Sequence, residues 1–355
     1  SHNPSNHNGF KIMKGTVPFF GDDISDIGLR GLNSDWSYSL GSSKNYYIED
    51  EYIKTLLEST KINNLKKNIK VVWDPGNGAA GDIIKKLVGC LPGEHILINE
   101  DIDGTFPAHH PDPTDPKNLE ELISIVKTNN FDVGVAFDGD GDRLGLVSGN
   151  GNIIWGDQIV ALLSQEVLKD YPNSPIIADV KASQTLFNEI KRLGGTPVMW
   201  KTGHSFIKSK MKEISSPLAG EMSGHIFFSD RYYGYDDGIY AALRVLELIC
   251  DNYSLDDFLN SLPKTFSTQE IKINCPDEVK FSIIKDLSLL LDKAGLIVNK
   301  IDGLRVQKDS GWWLLRASNT QAVLVARIEA DSQDSLNKLQ EELSYYLKKF
   351  DLSLT

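Results

Sequence analysis

Short apolar runs, typical of buried strands, alternate along the chain with segments whose apolar residues recur every three or four positions. Residues 69–73 and 131–137 are runs of the first kind, whereas 158–168, 183–193 and 237–250 have helical spacing. Alternation of the two patterns predicts α/β units. Further strands are predicted at 95–98, 144–147 and 176–180, with further helices ending at 88 and spanning 118–129, and Asp157 as the N-cap of helix 158–168.

The pattern changes after Pro263, where short strands precede one long amphipathic helix. That last helix is predicted at 334–349, with Leu336, Leu339 and Leu343 on one stripe. We therefore expect a separate C-terminal α+β domain. Its strands are predicted at 269–274, 296–301, 312–315 and 323–328.

Charge and cysteine content narrow the classes of function. The 355 residues carry a formal net charge of −12, which argues against general binding to nucleic acid or to anionic membranes. Cys90, Cys250 and Cys275 are far apart in sequence and suggest no disulfide framework, so a reducing, cytoplasmic location is expected. No stretch approaches the length of about 18 apolar residues that a membrane span needs.

The strongest local motif is Asp138-Gly139-Asp140-Gly141-Asp142-Arg143, directly after an apolar strand. Three carboxylates on a glycine-rich turn suit a hard cation such as Mg²⁺ or Ca²⁺, and strand ends are where α/β sheets bind ligands. An EF-hand is excluded, because it needs Gly at loop position 6 and Glu at position 12, where Arg143 and Gly149 stand. A metal site is predicted here.

Three further segments carry groups suited to a phosphorylated, hydroxyl-rich ligand, although each alone is equally consistent with an ordinary surface loop. Glu221, Ser223 and His225 lie in a glycine-flanked turn and offer hydrogen bonds and proton transfer. An arginine followed by hydroxyl and amide groups is suited to a phosphate. The candidates for it are Arg316, Ser318, Asn319 and Thr320. Lys181 and the segment around His204 place cationic groups next to apolar runs, for which a solvated face is the commoner explanation, and the run 109–113 is interpreted as a structural loop.

The amino end offers a candidate nucleophile. Ser1-His2-Asn3-Pro4 precedes Lys11, and a serine beside basic groups can serve nucleophilic chemistry. An N-terminal-nucleophile hydrolase is an alternative interpretation, but it leaves the three aspartates unexplained.

Taken in order, these motifs resemble the α-D-phosphohexomutase superfamily, and in particular its bacterial phosphomannomutase/phosphoglucomutase branch. The resemblance spans nearly the whole chain, and Gln321-Ala322 departs from the usual residues after the phosphate loop. It implies mixed-sheet α/β domains and a C-terminal α+β domain. The implied division is a remnant of the first domain at 1–47, a metal-loop domain at 48–152, a sugar-loop domain at 153–264 and a phosphate-binding domain at 265–355.

The resemblance implies interconversion of hexose 1-phosphate and hexose 6-phosphate, of mannose, glucose or both, through a phosphoserine at Ser1. Mg²⁺ would be held by Asp138, Asp140 and Asp142 together with Ser1, and glucose or mannose 1,6-bisphosphate would act as activator. Lys11, Arg143 and His225 are the implied catalytic groups, with Lys11 or His225 as general acid/base. Lys181, His204, Glu221, Ser223, Arg316, Ser318, Asn319 and Thr320 would bind substrate.

Two alternatives remain within this resemblance. A phosphoglucosamine mutase would share most of the motifs, and a chain lacking most of the first domain could bind Mg²⁺ and sugar phosphate without turnover. No nucleic acid or membrane partner is expected, and the oligomeric state is expected to be monomeric, with a dimer as the alternative.

Overall fold

The computed structural model describes residues 9–15, 17–62, 68–318 and 321–354. The chain divides into two compact units, and the smaller takes two short segments from within the larger. The larger unit is formed by the described residues of Ser1–Ala178, Leu186–Val198 and Gly203–Ser261, and the smaller by those of Asp179–Thr185, Met199–Thr202 and Leu262–Thr355. The four-domain division expected from sequence stays a prediction.

The larger unit is built from α/β segments. Its elements, in chain order, are β1 (Ile12–Lys14), β2 (Val17–Phe19), α1 (Asp22–Leu32), α2 (Glu49–Glu58), β3 (Lys70–Asp74), α3 (Gly81–Val88), β4 (Glu94–Leu97), a 3₁₀ turn (Pro116–Leu119), α4 (Glu120–Thr128), β5 (Val133–Phe137), β6 (Leu144–Ser148), β7 (Ile153–Ile154), α5 (Gly156–Asp170), β8 (Pro175–Asp179), α6 (Gln184–Arg192), β9 (Thr196–Trp200), α7 (His204–Ile214), β10 (Leu218–Gly220), β11 (Ile226–Phe228), α8 (Gly238–Cys250) and α9 (Leu255–Ser261).

Two mixed sheets organise these elements. The first has the order β4-β3-β5-β6-β7, in which β3 pairs in parallel with β4 and β5, while β5, β6 and β7 are antiparallel. The second has the order β11-β10-β8-β9, with β10 parallel to β8 and antiparallel to β11. Strands β5 and β6 are buried along their whole length, which explains their continuous apolar sequence. The mixed α/β prediction is confirmed.

The smaller unit is an antiparallel sheet covered by two long helices. Its remaining elements are β12 (Phe266–Ser267), β13 (Ile271–Asn274), α10 (Asp277–Lys293), β14 (Val298–Asn299), β15 (Leu304–Lys308), β16 (Gly311–Ala317), β17 (Val323–Ala330), α11 (Gln333–Leu347) and a 3₁₀ turn (Lys348–Phe350). The order is β12-β17-β16-β15-β14, with β13 also on β17. Leucines of α10 and α11 pack with Trp313 in one core, as the leucine stripe predicts.

Several details differ from the sequence expectations, which did not include helices α2, α7 and α10. The structure begins α5 at Gly156, with Trp155 rather than Asp157 as the N-cap. The Gln158 side chain accepts the Trp155 N–H at 3.0 Å, and a Cβ at Gly156 would lie 2.6 Å from the Glu221 carbonyl oxygen, so this start is fixed by tertiary contact. Strand β15 escaped prediction because Arg305, Gln307 and Lys308 make it look polar.

Among the described residues, no helix combines the length and the apolar character needed to cross a membrane. Helix α1 has no buried side chain. By contrast, every residue of α8 is buried, including Arg244, which pairs with Glu166 and Asp230 at 2.9 Å each. A buried guanidinium with two carboxylates is costly to disturb, because removing it leaves uncompensated charge.

We therefore expect Arg244→Met to lower the free energy of unfolding by about 3 kcal/mol, because Glu166 and Asp230 lose the more buried of their two cations and keep only Arg231. Arg192→Met, which removes an exposed guanidinium paired with Glu189, serves as the control and should change it by less than about 0.5 kcal/mol. Urea unfolding monitored by circular dichroism measures both. Equal effects of the two substitutions would contradict the stabilising role given to the buried Arg244 guanidinium.

Candidate functional site

The loop from Asp138 to Arg143 leaves the end of β5 and closes upon itself before β6 begins. Asp138 is fully buried; one carboxylate oxygen accepts the Arg143 backbone N–H at 3.1 Å and the other accepts its Nε–H at 2.8 Å. Gly141 has a φ of +77°, a conformation that a side chain would strain. The sequence thus builds a rigid turn whose carboxylates share one side.

Asp138, Asp140 and Asp142 offer oxygen atoms that all lie within 4.8 Å of one another. One oxygen of Asp142, Oδ1, is buried and has no hydrogen-bond partner among the described residues. Lys11 contacts Asp142 and lies 3.0 Å from Asp140 Oδ2, so a cationic group already faces the trio. Oxygen donors with an unsatisfied buried member fit a hard divalent cation such as Mg²⁺.

The pKa values of Asp138 and Asp140 reflect their burial and their charged neighbours. Burial raises the pKa of Asp138 above its usual range, and Arg143 offsets this only in part. Burial works in the same direction on Asp140, but Lys11 prevails and the pKa of that carboxyl lies below normal. The pKa of Lys11 is raised despite its burial, because Asp142 and Asp140 stabilise its charge, so Lys11 stays protonated.

Arg143 is held from both sides. Its side chain is 6% exposed and pairs with Asp138 and, through Nη1 at 3.2 Å, with Asp112. Its Nη2 is buried without a hydrogen-bond partner among the described residues, which leaves a donor for an anionic ligand. Sequence reasoning missed Asp112; it lies in the run treated as a structural loop, where His109 also binds Asp74 at 3.0 Å.

The turn carrying Glu221, Ser223 and His225 is joined to the aspartate loop by backbone contacts. Leu144 N–H donates to the Gly224 carbonyl at 2.9 Å, and Arg143 and His225 form an isolated antiparallel bridge. Gly224, at φ +95°, allows the approach, since its Cβ would lie 2.6 Å from the Leu144 carbonyl. The buried Glu221 accepts the Gly203 N–H at 2.5 Å. Ser223 is half-buried in the same turn.

One carboxylate, that of Asp236, lies close to three basic side chains. Asp236, 5% exposed, lies 2.8 Å from Lys208 Nζ, 3.2 Å from His225 Nδ1 and 3.7 Å from His204 Nδ1. His225 Nδ1 is also 3.5 Å from Asp142 Oδ1. The arrangement brings the predicted His204 and His225 beside the predicted metal loop. Asp236 was missed, since an aspartate before the N-cap Asp237 of α8 looks like an ordinary helix start.

The two histidines respond to burial in opposite ways. Burial lowers the pKa of His204 to about 4, and Lys208 and Lys11 add to that effect against Asp236. Burial also works to lower the pKa of His225, but Asp236, Asp142 and Glu221 outweigh it and the pKa is raised. His204 is therefore a neutral hydrogen-bonding group near neutral pH, whereas His225 is suited to carrying a proton.

The smaller unit holds a second set of predicted residues. Lys181 Nζ is 2.6 Å from Glu270, and Arg316, at the end of β16, pairs with Asp302. Ser318 Oγ accepts the Gln321 N–H at 3.1 Å. Sequence reasoning missed both carboxylates. Ser1, Asn319 and Thr320 lie outside the described residues.

Comparison with known proteins identifies relatives along most of the chain. Three sequence models of phosphoglucomutase/phosphomannomutase domains match in order. The α/β/α domain II model matches residues 50–151, the α/β/α domain III model residues 155–266, and the C-terminal domain model residues 270–344.

Individual relatives agree with that match. A phosphomannomutase/phosphoglucomutase from Pseudomonas putida is 45% identical over 96% of this chain and 73% of its own length, and one from Pseudomonas aeruginosa is 42% identical over 100% and 76%. The crystal structure of a phosphoglucomutase/phosphomannomutase family protein from Burkholderia thailandensis superposes with a TM-score of 0.91 at 40% identity, covering 98% of this chain and 74% of that one. These comparisons do not favour the phosphoglucosamine mutase alternative.

The metal assignment predicts that Asp142→Asn weakens binding of Mg²⁺ or Mn²⁺ by at least about tenfold, because one of three anionic ligands is lost. Isothermal titration calorimetry measures this affinity. Asp82→Asn, which removes an exposed carboxylate in the first turn of α3, should leave the affinity unchanged. Unchanged affinity in Asp142→Asn would place the metal elsewhere.

The lowered pKa of His204 predicts a pH-dependent loss of stability. The unfolded chain takes up a proton near pH 6.5 and the folded chain near 4, so acid favours unfolding as the pH falls through that window. His204 is 33% exposed, so we expect the unaltered protein to lose about 1–2 kcal/mol more than His204→Gln between pH 7 and pH 5. Urea titrations at both pH values measure the difference.

His110→Gln provides the control, since His110 is exposed on the adjacent proline-rich loop. It should lose the same stability as the unaltered protein between the two pH values. A loss in His204→Gln equal to that of the unaltered protein would contradict the role given to His204.

Proposed function

This chain belongs to the phosphoglucomutase/phosphomannomutase family, and we propose on that premise how its residues interconvert hexose 1-phosphates and hexose 6-phosphates. It is an isomerase of the phosphotransferase type. The residue assignments rest chiefly on one observation, the clustering of Asp138, Asp140 and Asp142 with Lys11 and His225. Phosphoryl transfer needs positioning and stabilisation of negative charge, and this cluster concentrates the groups that provide them.

We assign the transferred phosphoryl group to Ser1. The free hydroxyl of the bound hexose phosphate attacks the phosphorus, the bond to the Ser1 oxygen breaks, and the hydroxyl proton passes through the His225 imidazole to the Ser1 oxygen. The hexose 1,6-bisphosphate then rebinds in the opposite orientation. The Ser1 hydroxyl attacks the other phosphorus, and its proton passes through His225 to the sugar oxygen that leaves. Atoms and charge balance in each half-reaction.

Lys11 and Arg143 supply positive charge beside this exchange. The raised pKa of Lys11 argues for a permanent cation rather than a base, which favours His225 as the general acid/base. Arg143 is oriented by Asp138 and Asp112. Asp138, Asp140 and Asp142, with Ser1 as a further ligand, would hold Mg²⁺, which would supply Lewis-acid neutralisation of the charge on the transferred group.

The substrate has to bind in two orientations, so its phosphate needs a fixed site and its hydroxyls a tolerant one. Glu221, held by the Gly203 N–H, and Ser223 are suited to hydroxyls that both orientations share. Acceptance of both glucose and mannose follows if neither group distinguishes the 2-hydroxyl. The phosphate that does not react is assigned to Arg316, Ser318, Asn319 and Thr320. Lys181 and His204 are each assigned a contact to phosphate or to the sugar ring.

Glucose 1,6-bisphosphate or mannose 1,6-bisphosphate would phosphorylate Ser1 and so prime the first turnover. Hexose phosphates are the only partners that the proposal requires. A cytoplasmic location and a monomeric or dimeric state stay predictions.

The test is a mutase assay with Mg²⁺ and catalytic glucose 1,6-bisphosphate, on glucose 1-phosphate and mannose 1-phosphate separately. Ser1→Ala should lower turnover about a thousandfold or more, because the phosphoryl carrier is removed. Ser5→Ala is the control and should keep the activity. Bisphosphate carrying ³²P should label the unaltered protein and Ser5→Ala but not Ser1→Ala; equal labelling of all three would overturn the assignment of Ser1.

A further inference from the structure

We propose that Asp302 is a positioning residue for the substrate phosphate: its carboxylate fixes the Arg316 guanidinium and the Thr202 backbone in one geometry. This inference rests on the proposed function, because it takes Arg316 as a phosphate ligand. It adds a residue outside the phosphate-binding loop, on a different turn of the same sheet.

The contacts of Asp302 are specific. Its Oδ2 accepts the Arg316 Nε–H at 3.1 Å and the Thr202 backbone N–H at 3.1 Å, while its Oδ1 lies 3.4 Å from Arg316 Nη2. The Asp302 side chain is 17% exposed and the Arg316 side chain is 9% exposed. One carboxylate therefore joins residues about a hundred positions apart in sequence and satisfies donors from both.

The geometry decides which part of the guanidinium faces a ligand. Asp302 engages the side edge of Arg316, formed by Nε and Nη2. A guanidinium is planar and has a second, end-on edge formed by Nη1 and Nη2, which matches two oxygens of a phosphate. Fixing the side edge orients the plane of the group before substrate arrives, and preorganisation of this kind raises affinity by reducing the ordering cost.

The turn that carries Asp302 is built for this approach. Asp302 and Gly303 connect β14 to β15, and Gly303 has a φ of +83°. A Cβ at Gly303 would lie 2.5 Å from the Arg316 Cβ and from the Leu315 carbonyl oxygen. Only glycine therefore allows the turn to lie directly against Arg316, which places the neighbouring carboxylate within reach of the guanidinium.

Asp302 also carries a negative charge, which by itself opposes phosphate binding. Orientation outweighs that effect because a guanidinium without a fixed partner has to be ordered each time a phosphate binds. Removing the charge of Asp302 should therefore weaken phosphate binding.

The test compares Asp302→Asn with Asp309→Asn, whose carboxylate is exposed in the turn between β15 and β16. Asp302→Asn should raise KM for glucose 1-phosphate, and the inhibition constant of inorganic phosphate, about tenfold at nearly constant kcat, which is about 1.4 kcal/mol. Asp309→Asn should match the unaltered protein. Unchanged or tighter phosphate binding by Asp302→Asn would overturn the proposal.

A double-mutant cycle separates positioning from general structural damage. Lysine lacks the planar guanidinium that Asp302 would orient, so adding Asp302→Asn to an Arg316→Lys variant should change KM less than twofold. Additive effects of the two substitutions would contradict the coupling. The ¹⁵N resonance of Arg316 Nε gives a measurement that needs no Asp302 variant to fold. Its proton should exchange slowly with water in the phosphate-free protein, and fast exchange would overturn the contact.

Absence of mutase activity in the unaltered protein would instead defeat the proposed function. Activity that Arg316→Lys impairs and Asp302→Asn does not would defeat this inference alone.

Discussion

The mutual repulsion of three aspartates on one six-residue turn is the main electrostatic constraint on the larger unit. Asp138, Asp140 and Asp142 lie so close that their charges repel, and the fully buried Asp138 has a raised pKa in spite of Arg143. Such a turn is stable only where cations surround it. Lys11 and Arg143 supply two of them, and the proposed Mg²⁺, for which the unsatisfied oxygen of Asp142 is available, would be the third. The stress in the protein is thus relieved by the groups that phosphoryl transfer requires.

A second regularity concerns the cations. Each lysine and arginine predicted for the site pairs with a carboxylate: Lys11 with Asp140 and Asp142, Arg143 with Asp138 and Asp112, Lys181 with Glu270, and Arg316 with Asp302. Lys208 is fixed in the same way by Asp236. In a chain with a net charge of −12, a long basic side chain could pair with several different carboxylates. Pairing it with one buried or half-buried carboxylate fixes its direction without removing its remaining donors.

The sequence was sufficient for what is local. Apolar runs located β3, β5, β6 and β8 to within a residue or two, and the aspartate turn was recognisable because its three aspartates stand at alternate positions of one short segment. It was insufficient for what folding brings together. Lys181 and Glu270 are 89 residues apart, Thr202 and Asp302 are 100 apart, and Arg143 and Asp112 are 31 apart, so no spacing reveals these pairs. The start of α5 was predicted wrongly for the same reason, because contact with the Glu221 turn overrides the better capping residue, Asp157.

The glycines complete the argument, since they mark where two such distant segments meet. Gly224 lies against Leu144 and joins the turn carrying Glu221 to the aspartate turn. Gly303 lies against Arg316 and brings Asp302 close to the guanidinium. In each case the backbone conformation has positive φ and the neighbour is backbone or the base of a side chain, so an alanine would force the segments apart. These positions could be recognised as turns from sequence. Their function as contact points between segments follows only from the structure.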